Sequence, residues 1–181
     1  QYDVTQKNGY AQLMFETDIT EKHNISVGAS LNHDYYDERF NPFGTLPKAE
    51  SKVTKETTPG LYAQYTYKLG DKLTVMPGVR WDYSNLYGSF FTPRLHIKYS
   101  PSKIVTLRTS VGKGYRSPHA LAENVTLLAS GREIIIDSDL KQEEAWNMGA
   151  SLGFNIPLFG KNLELNAEYY YTDFKHQMIM N

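Results

Sequence analysis

The stretch that decides the fold is Asn24-Ile25-Ser26-Val27-Gly28-Ala29-Ser30-Leu31-Asn32-His33-Asp34-Tyr35. Its odd positions are Ile25, Val27, Ala29, Leu31, His33 and Tyr35, and its even positions are Ser26, Gly28, Ser30, Asn32 and Asp34. Successive side chains of a strand point to opposite faces, so this alternation makes a long strand with one apolar and one polar face. The same period recurs outward in both directions. Ala11, Leu13, Phe15 and Ile19 alternate with polar partners, as do Leu61 to Leu69, Leu73 to Tyr83, and Leu95 to Tyr99. Val105 to Val111, Trp146 to Phe154, and Leu163 to Tyr171 complete the set. The chain therefore reads as all-β with eight strands, several longer than the usual 5–6 residues or so.

The connections sort by length. Thr20 to His23, Gly70 to Lys72, Pro101 to Lys103 and Pro157 to Lys161 carry the Gly, Pro, Asp and Lys chemistry of tight turns. Tyr36 to Pro59, Asn85 to Phe91, and Arg116 to Glu143 read as longer links between them. Short turns on one rim and long loops on the other is the build of a bacterial outer-membrane barrel.

Composition agrees with that architecture once the alternation is seen. The 181 residues hold 14 Tyr, 8 Phe and 2 Trp, rings that suit surfaces half apolar and half wet. They concentrate near the strand ends. Tyr35, Tyr36, Tyr62, Tyr83, Tyr87, Phe90, Phe91, Tyr115, Trp146 and Tyr169 to Tyr171 lie toward the long loops, and Tyr67, Tyr99, Phe154 and Phe159 toward the short turns. Two such belts match the aromatic girdles of a membrane barrel. Val27, Ala29, Leu107 and Ala150 fall in the middle of the apolar face, where lipid contact belongs. Mean hydropathy is −0.51, and no segment is apolar enough for a transmembrane helix. Nineteen basic against 20 acidic residues give no electrostatic footprint for nucleic acid. Without cysteine there is no thiolate metal site and no cysteine catalysis.

Following the rims, both chain ends fall on the long-loop side, whereas a self-contained small barrel keeps them on the periplasmic side. We therefore expect the chain to be a portion of a larger barrel.

Particular residues then resemble a known family. Phe91-Thr92-Pro93-Arg94-Leu95-His96-Ile97-Lys98-Tyr99-Ser100-Pro101 is similar to a strand and turn of the TonB-dependent outer-membrane receptors. Leu107-Arg108, leading to Gly112-Lys113-Gly114-Tyr115-Arg116-Ser117-Pro118, resembles a strand end of that family. So do Ala120-Leu121-Ala122-Glu123, Asp139-Leu140-Lys141-Gln142-Glu143 with Trp146-Asn147, and Glu168-Tyr169-Tyr170-Tyr171-Thr172-Asp173-Phe174. Gln142 and Ser138 stand where the family usually has proline. The likeness is strongest from Phe91 to Ile179.

The resemblance implies a barrel of about 22 strands, of which residues 1–181 would be about eight. It implies a plug domain, absent from this chain, and a TonB-box segment that engages the TonB complex. It implies TonB-energised uptake of a scarce nutrient such as an iron chelate or cobalamin, with siderophores and glycans among the candidate cargoes. The alternatives are a non-transporting outer-membrane or surface binding barrel, and a soluble antiparallel β-domain.

Catalysis finds no support. The histidines at 23, 33, 96, 119 and 176 are scattered, and no hydrolase, zinc-protease or P-loop pattern is present. We expect no cofactor and no metal site. The acidic group Glu16, Asp18, Asp34, Asp37 and Glu38 lacks calcium-loop spacing and reads as solvated. The outer loops are the place for a small-molecule ligand. Arg39, Phe40 and Phe43 could offer a cation beside an aromatic wall to an anionic chelate. Arg116, His119 and Arg132 are the candidates in the last long loop. There Ser117, Pro118, Leu121, Val125 and Leu128 carry helix signals, ending before Gly131. That loop is acidic overall, which argues against an anionic ligand at that spot. Arg80, Arg94 and Arg108, with Lys98, fall on the polar face, where we expect them to look toward a plug.

Overall fold

The computed structural model describes residues 2–40, 50–116 and 142–175. These form one sheet of eight antiparallel strands paired strictly in chain order. The strands are β1 (Tyr2–Thr20), β2 (His23–Phe40), β3 (Glu50–Leu69) and β4 (Leu73–Ser84). They continue as β5 (Gly88–Tyr99), β6 (Val105–Arg116), β7 (Glu143–Leu158) and β8 (Lys161–Lys175). Among the described residues there is no helix.

Register joins the apolar positions into rows. Leu13 pairs with Ala29, Ala29 with Leu61, Leu61 with Trp81, and Trp81 with Phe91. The polar positions form rows of their own on the other face. Ser30 pairs with Gly60 and Gly60 with Asp82.

Burial inverts the pattern of a soluble protein. No apolar side chain is buried among the described residues, while Ser26, Ser30, Glu56, Thr66, Asp82 and Ser84 are. Along β4, Val79, Trp81 and Tyr83 are exposed, and Asp82 and Ser84 are buried. A single sheet has no second layer, so burial on one face comes from its own side chains crowding together, as on the inside of a curve. Leu13 and Phe91, at 77% and 56% exposed, stand on the opposite face. In water such a continuous apolar surface is untenable for a monomer; in lipid it is the contact surface.

The two tightest turns, 21–22 and 159–160, lie on the rim expected. Phe159 and Gly160 close the β7–β8 hairpin with both φ angles positive (49° and 74°), the two-residue geometry whose twist matches its strands. Two loop expectations need correction. Asn85 to Phe91 is not a long link: β4 and β5 are joined by three residues, 85–87. The Ser84 hydroxyl accepts the backbone N–H of Leu86 at 3.2 Å and of Tyr87 at 3.4 Å, which closes the turn. Tyr36 to Pro59 is mostly strand, because β2 runs on to Phe40 and β3 resumes at Glu50. Polar side chains occupy both faces there, which hides the apolar period, but they bond across the strands. Gln6 donates to Tyr36 at 2.6 Å and Asn8 to Asp34 at 2.6 Å. The helix signals of 117–128 lie outside the described residues.

The first and last strands, at opposite edges of the sheet, reach the same rim. Tyr2 pairs with Phe40 and Lys175 pairs residue 144, at the edge from which the links 41–49 and 117–142 leave.

Candidate functional site

The polar face holds two charged features at different heights. The upper one centres on Arg80 and Asp82, two residues apart on β4 and therefore on the same face. Arg80 Nε donates to Asp82 Oδ2 at 2.7 Å, and its Nη2 lies 2.6 Å from Oδ1 as an ion-pair contact without hydrogen-bond geometry, which leaves Oδ1 buried with no hydrogen bond. Arg80 Nη2 also donates to Ser30 Oγ at 2.7 Å, tying β4 to β2 across β3. The intervening strand must stay low for this to happen. A Cβ on Gly60 would collide with Asp82 Oδ1 and lie 2.7 Å from Arg80 Nη2, so the position is left to glycine. Asp82 is fully buried, while the Arg80 side chain remains 35% exposed. The Tyr115 ring stacks on Phe90 at 4.6 Å. Arg80 lies 5.9 Å from the centre of the Tyr62 ring. Next to this group Ser84 donates to Glu56 at 2.6 Å, both buried. Burial near Glu56 raises the hydroxyl pKa of Tyr87, in the β4–β5 turn, above its ordinary value.

The lower feature is a row of cations. Lys68 pairs with Thr74, Thr74 with Lys98, Lys98 with Arg108, Arg108 with Ser151, and Ser151 with Glu168. Neither Lys98 nor Arg108 makes an ion pair among the described residues. Both line an open cleft with His96, Ser110, Glu168 and Tyr170. Arg94 lies higher on β5 and donates to Gln64 Oε1 at 2.8 Å. Arg80, Arg94 and Arg108 thus share the polar face.

The outer-rim candidates separate. Arg39 is committed to Asp37, with Nη2 to Oδ2 at 2.9 Å. Arg116 is paired with Glu143, Nη2 to Oε2 at 2.7 Å. Phe40 is the last residue of β2. Phe43, His119 and Arg132 lie outside the described residues. The girdle also needs correction. Tyr62, Phe90 and Tyr115 belong with the polar face and do not meet lipid, since Tyr62 pairs with Arg80, Phe90 pairs with Asp82, and Tyr115 stacks on Phe90. The roles of Asp82, Gly60 and Tyr115 in this cluster do not follow from the sequence. Asp82 and Gly60 were marked by parity alone, both falling at even positions. Tyr115 was not, because β5 and β6 pair only from Arg94–Gly112 to Tyr99–Leu107, below it.

No group of three or more potential metal ligands occurs among the described residues. His33 bonds Thr57 Oγ1 at 2.9 Å on the outward face, the behaviour of an interfacial histidine.

An apolar outward face, a crowded polar inward face and chain-order antiparallel pairing define the wall of an outer-membrane β-barrel. Over residues 1–179 the sequence matches the model of the TonB-dependent-receptor-like β-barrel family, and the chain belongs to that family. It is 23% identical over 160 residues to an iron-regulated outer membrane virulence protein of Vibrio cholerae, covering 87% of this chain and 23% of that protein. It is 25% identical over 122 residues to the ferrienterobactin receptor of Escherichia coli, covering 61% of this chain and 16% of that one. In fold it is similar to a ferric enterobactin receptor of Pseudomonas aeruginosa solved with enterobactin, with a TM-score of 0.73 at 17% identity. The match covers 96% of this chain and 27% of that one. The chain spans under a quarter of the length of these curated relatives. The family is one of outer-membrane receptors.

Proposed function

We propose that the chain is part of a barrel for TonB-energised uptake of an iron chelate across the outer membrane. The observation that carries this is the inverted burial of a family-matched sheet: buried charge on one face, apolar side chains on the other. The names of the relatives favour an iron chelate over cobalamin, since one is iron-regulated and one is a ferrienterobactin receptor.

The polar face supplies the wall against which a plug would rest. Arg80, Arg94 and Arg108 are the plug-facing residues of this reading, and carboxylates of a plug would complement the Lys68–Lys98–Arg108 row. Contact with TonB belongs to sequence outside this chain. For ligand contact at the outer rim we propose Arg39, Phe40, Phe43, Arg116, His119 and Arg132. Arg39 and Arg116 would give up part of their ion pairs with Asp37 and Glu143 when they engage an anionic chelate.

The test is uptake of radiolabelled ferric chelates by a receptor-deletion strain carrying the full-length gene. Energy-dependent accumulation of one chelate, lost when TonB is removed, is expected. Binding of chelate without accumulation would indicate a non-transporting barrel.

A further inference from the structure

A third charged feature lies on the other side of the sheet. Lys7 pairs with Tyr35, and Tyr35 with Lys55. These odd positions share the outward face of Val27, Ala29 and Leu31. Both lysines are exposed. Their ammonium groups lie 6.0 and 5.8 Å from the centre of the Tyr35 ring. Neither makes an ion pair among the described residues. Asp37, one row farther out, is engaged by Arg39.

The height of this row gives it meaning. Ile25 and Tyr65 pair near the short-turn rim. Ten residues along β2 separate that row from Tyr35. Ten residues rise about 33 Å along a strand, and about 25 Å in height at a tilt near 40°. That is about the thickness of the apolar band of such barrels. The two lysines and the tyrosine therefore stand where the band ends and lipid headgroups begin. The anionic group of a lipid at that depth is its phosphate, and an ammonium meets phosphate as a point charge with three donors.

We propose that Lys7, Tyr35 and Lys55 form an outward-facing site for the phosphate of an outer-leaflet lipid headgroup. The lysines supply the charge, and the ring between them holds their stems apart and presents its hydroxyl to the headgroup. The site rests on the membrane placement of the barrel and not on its transport activity.

The full-length receptor, reconstituted in phosphatidylcholine nanodiscs, is titrated with diphosphorylated lipid A, and bound lipid is counted by native mass spectrometry. The double variant K7Q/K55Q is expected to weaken binding roughly thirtyfold, at about 1 kcal/mol per lysine near a charged lipid surface. K52Q removes a charge from the same rim, but at an even position facing the other way, and is expected to leave binding unchanged. Lipid A stripped of its phosphates should bind the wild type no better than intact lipid A binds the double variant. Heat-modifiable migration on gels shows that each variant is folded. Equal affinity of wild type and double variant overturns the proposal. So does tight saturation of the row by free inorganic phosphate, which would make it a soluble-anion site. Chelate uptake is measured in parallel. A receptor that binds lipid A as described but transports nothing contradicts the transport reading alone.

Discussion

Removing Arg80 should cost the barrel more than removing Asp82, although the two form one pair. Asp82 is fully buried, whereas the Arg80 side chain keeps 35% of its surface exposed. In Arg80→Met the carboxylate loses its 2.7 Å hydrogen bond from Nε and its 2.6 Å ion-pair contact with Nη2, and is left buried without a charged partner. A buried charge stripped of its partner costs about 3–5 kcal/mol. In Asp82→Asn the orphan is the half-wet guanidinium, which still donates to Ser30, and the cost falls to about 1–3 kcal/mol. The double variant Arg80→Met/Asp82→Asn leaves no charge at either position and should recover most of the loss, so the coupling between the two positions is at least about 2 kcal/mol. Gly60→Ala should resemble Arg80→Met, because its methyl group displaces the carboxylate from the guanidinium. The assay is urea unfolding of the refolded full-length barrel in detergent micelles, followed by tryptophan fluorescence and by heat-modifiable gel migration. A cost under about 1 kcal/mol for Arg80→Met would refute the reasoning, since only a well-solvated Asp82 could lose its partner so cheaply.

Three further outcomes are expected. Val79→Arg, in the middle of the outward face, should lower folding stability in lipid vesicles by about 2–4 kcal/mol, whereas Ser110→Arg on the polar face should cost under about 1 kcal/mol. Phe159 sits at φ 49°, where a bulky side chain crowds its own backbone; Phe159→Asn should stabilise the barrel in micelles by about 1 kcal/mol, read as a shift of the urea midpoint. The Tyr87 hydroxyl pKa is raised by burial and by Glu56, so the fold favours the neutral phenol. That contribution is complete below the ordinary tyrosine pKa of about 10 and is lost as pH rises through the folded value. Stability measured from pH 8 to about 11 should therefore fall less steeply in Tyr87→Phe than in the wild type.

Much of this was legible in the residues, and where it was not the reason is physical. Ile25 to Tyr35 declared a two-faced strand because lipid on one side and water on the other demand opposite chemistry at alternate positions. Above the membrane that demand disappears. The outer halves of β2 and β3 have polar residues on both faces, and a strand of that kind resembles a loop until its cross-strand bonds are seen. The brevity of the Asn85–Tyr87 turn depends on one hydroxyl, Ser84, accepting two amides. Arg80 could be assigned to the polar face by parity. Asp82 follows by the same parity, but their pairing does not, because an i, i+2 ion pair on a strand depends on how low the neighbouring strand lies, and that is decided by the missing side chain of Gly60. The side of the sheet that Tyr115 meets is hidden for a related reason: at its height β6 is paired with β7 but no longer with β5, so the ring can turn into the gap and stack on Phe90.

The central claim is that the odd and even positions of β4 meet different solvents. Residues 1–181 contain no cysteine, and with any cysteine elsewhere in the receptor replaced by serine, single cysteines can be introduced one at a time. Spin labels at positions 78 to 83 of the full-length receptor in lipid vesicles would be read for collision with oxygen, which partitions into lipid, and with a water-soluble nickel chelate. Oxygen contact is predicted to peak at 79, 81 and 83 and nickel contact at 78, 80 and 82. A profile without the two-residue period, or with its phase reversed, would contradict the account.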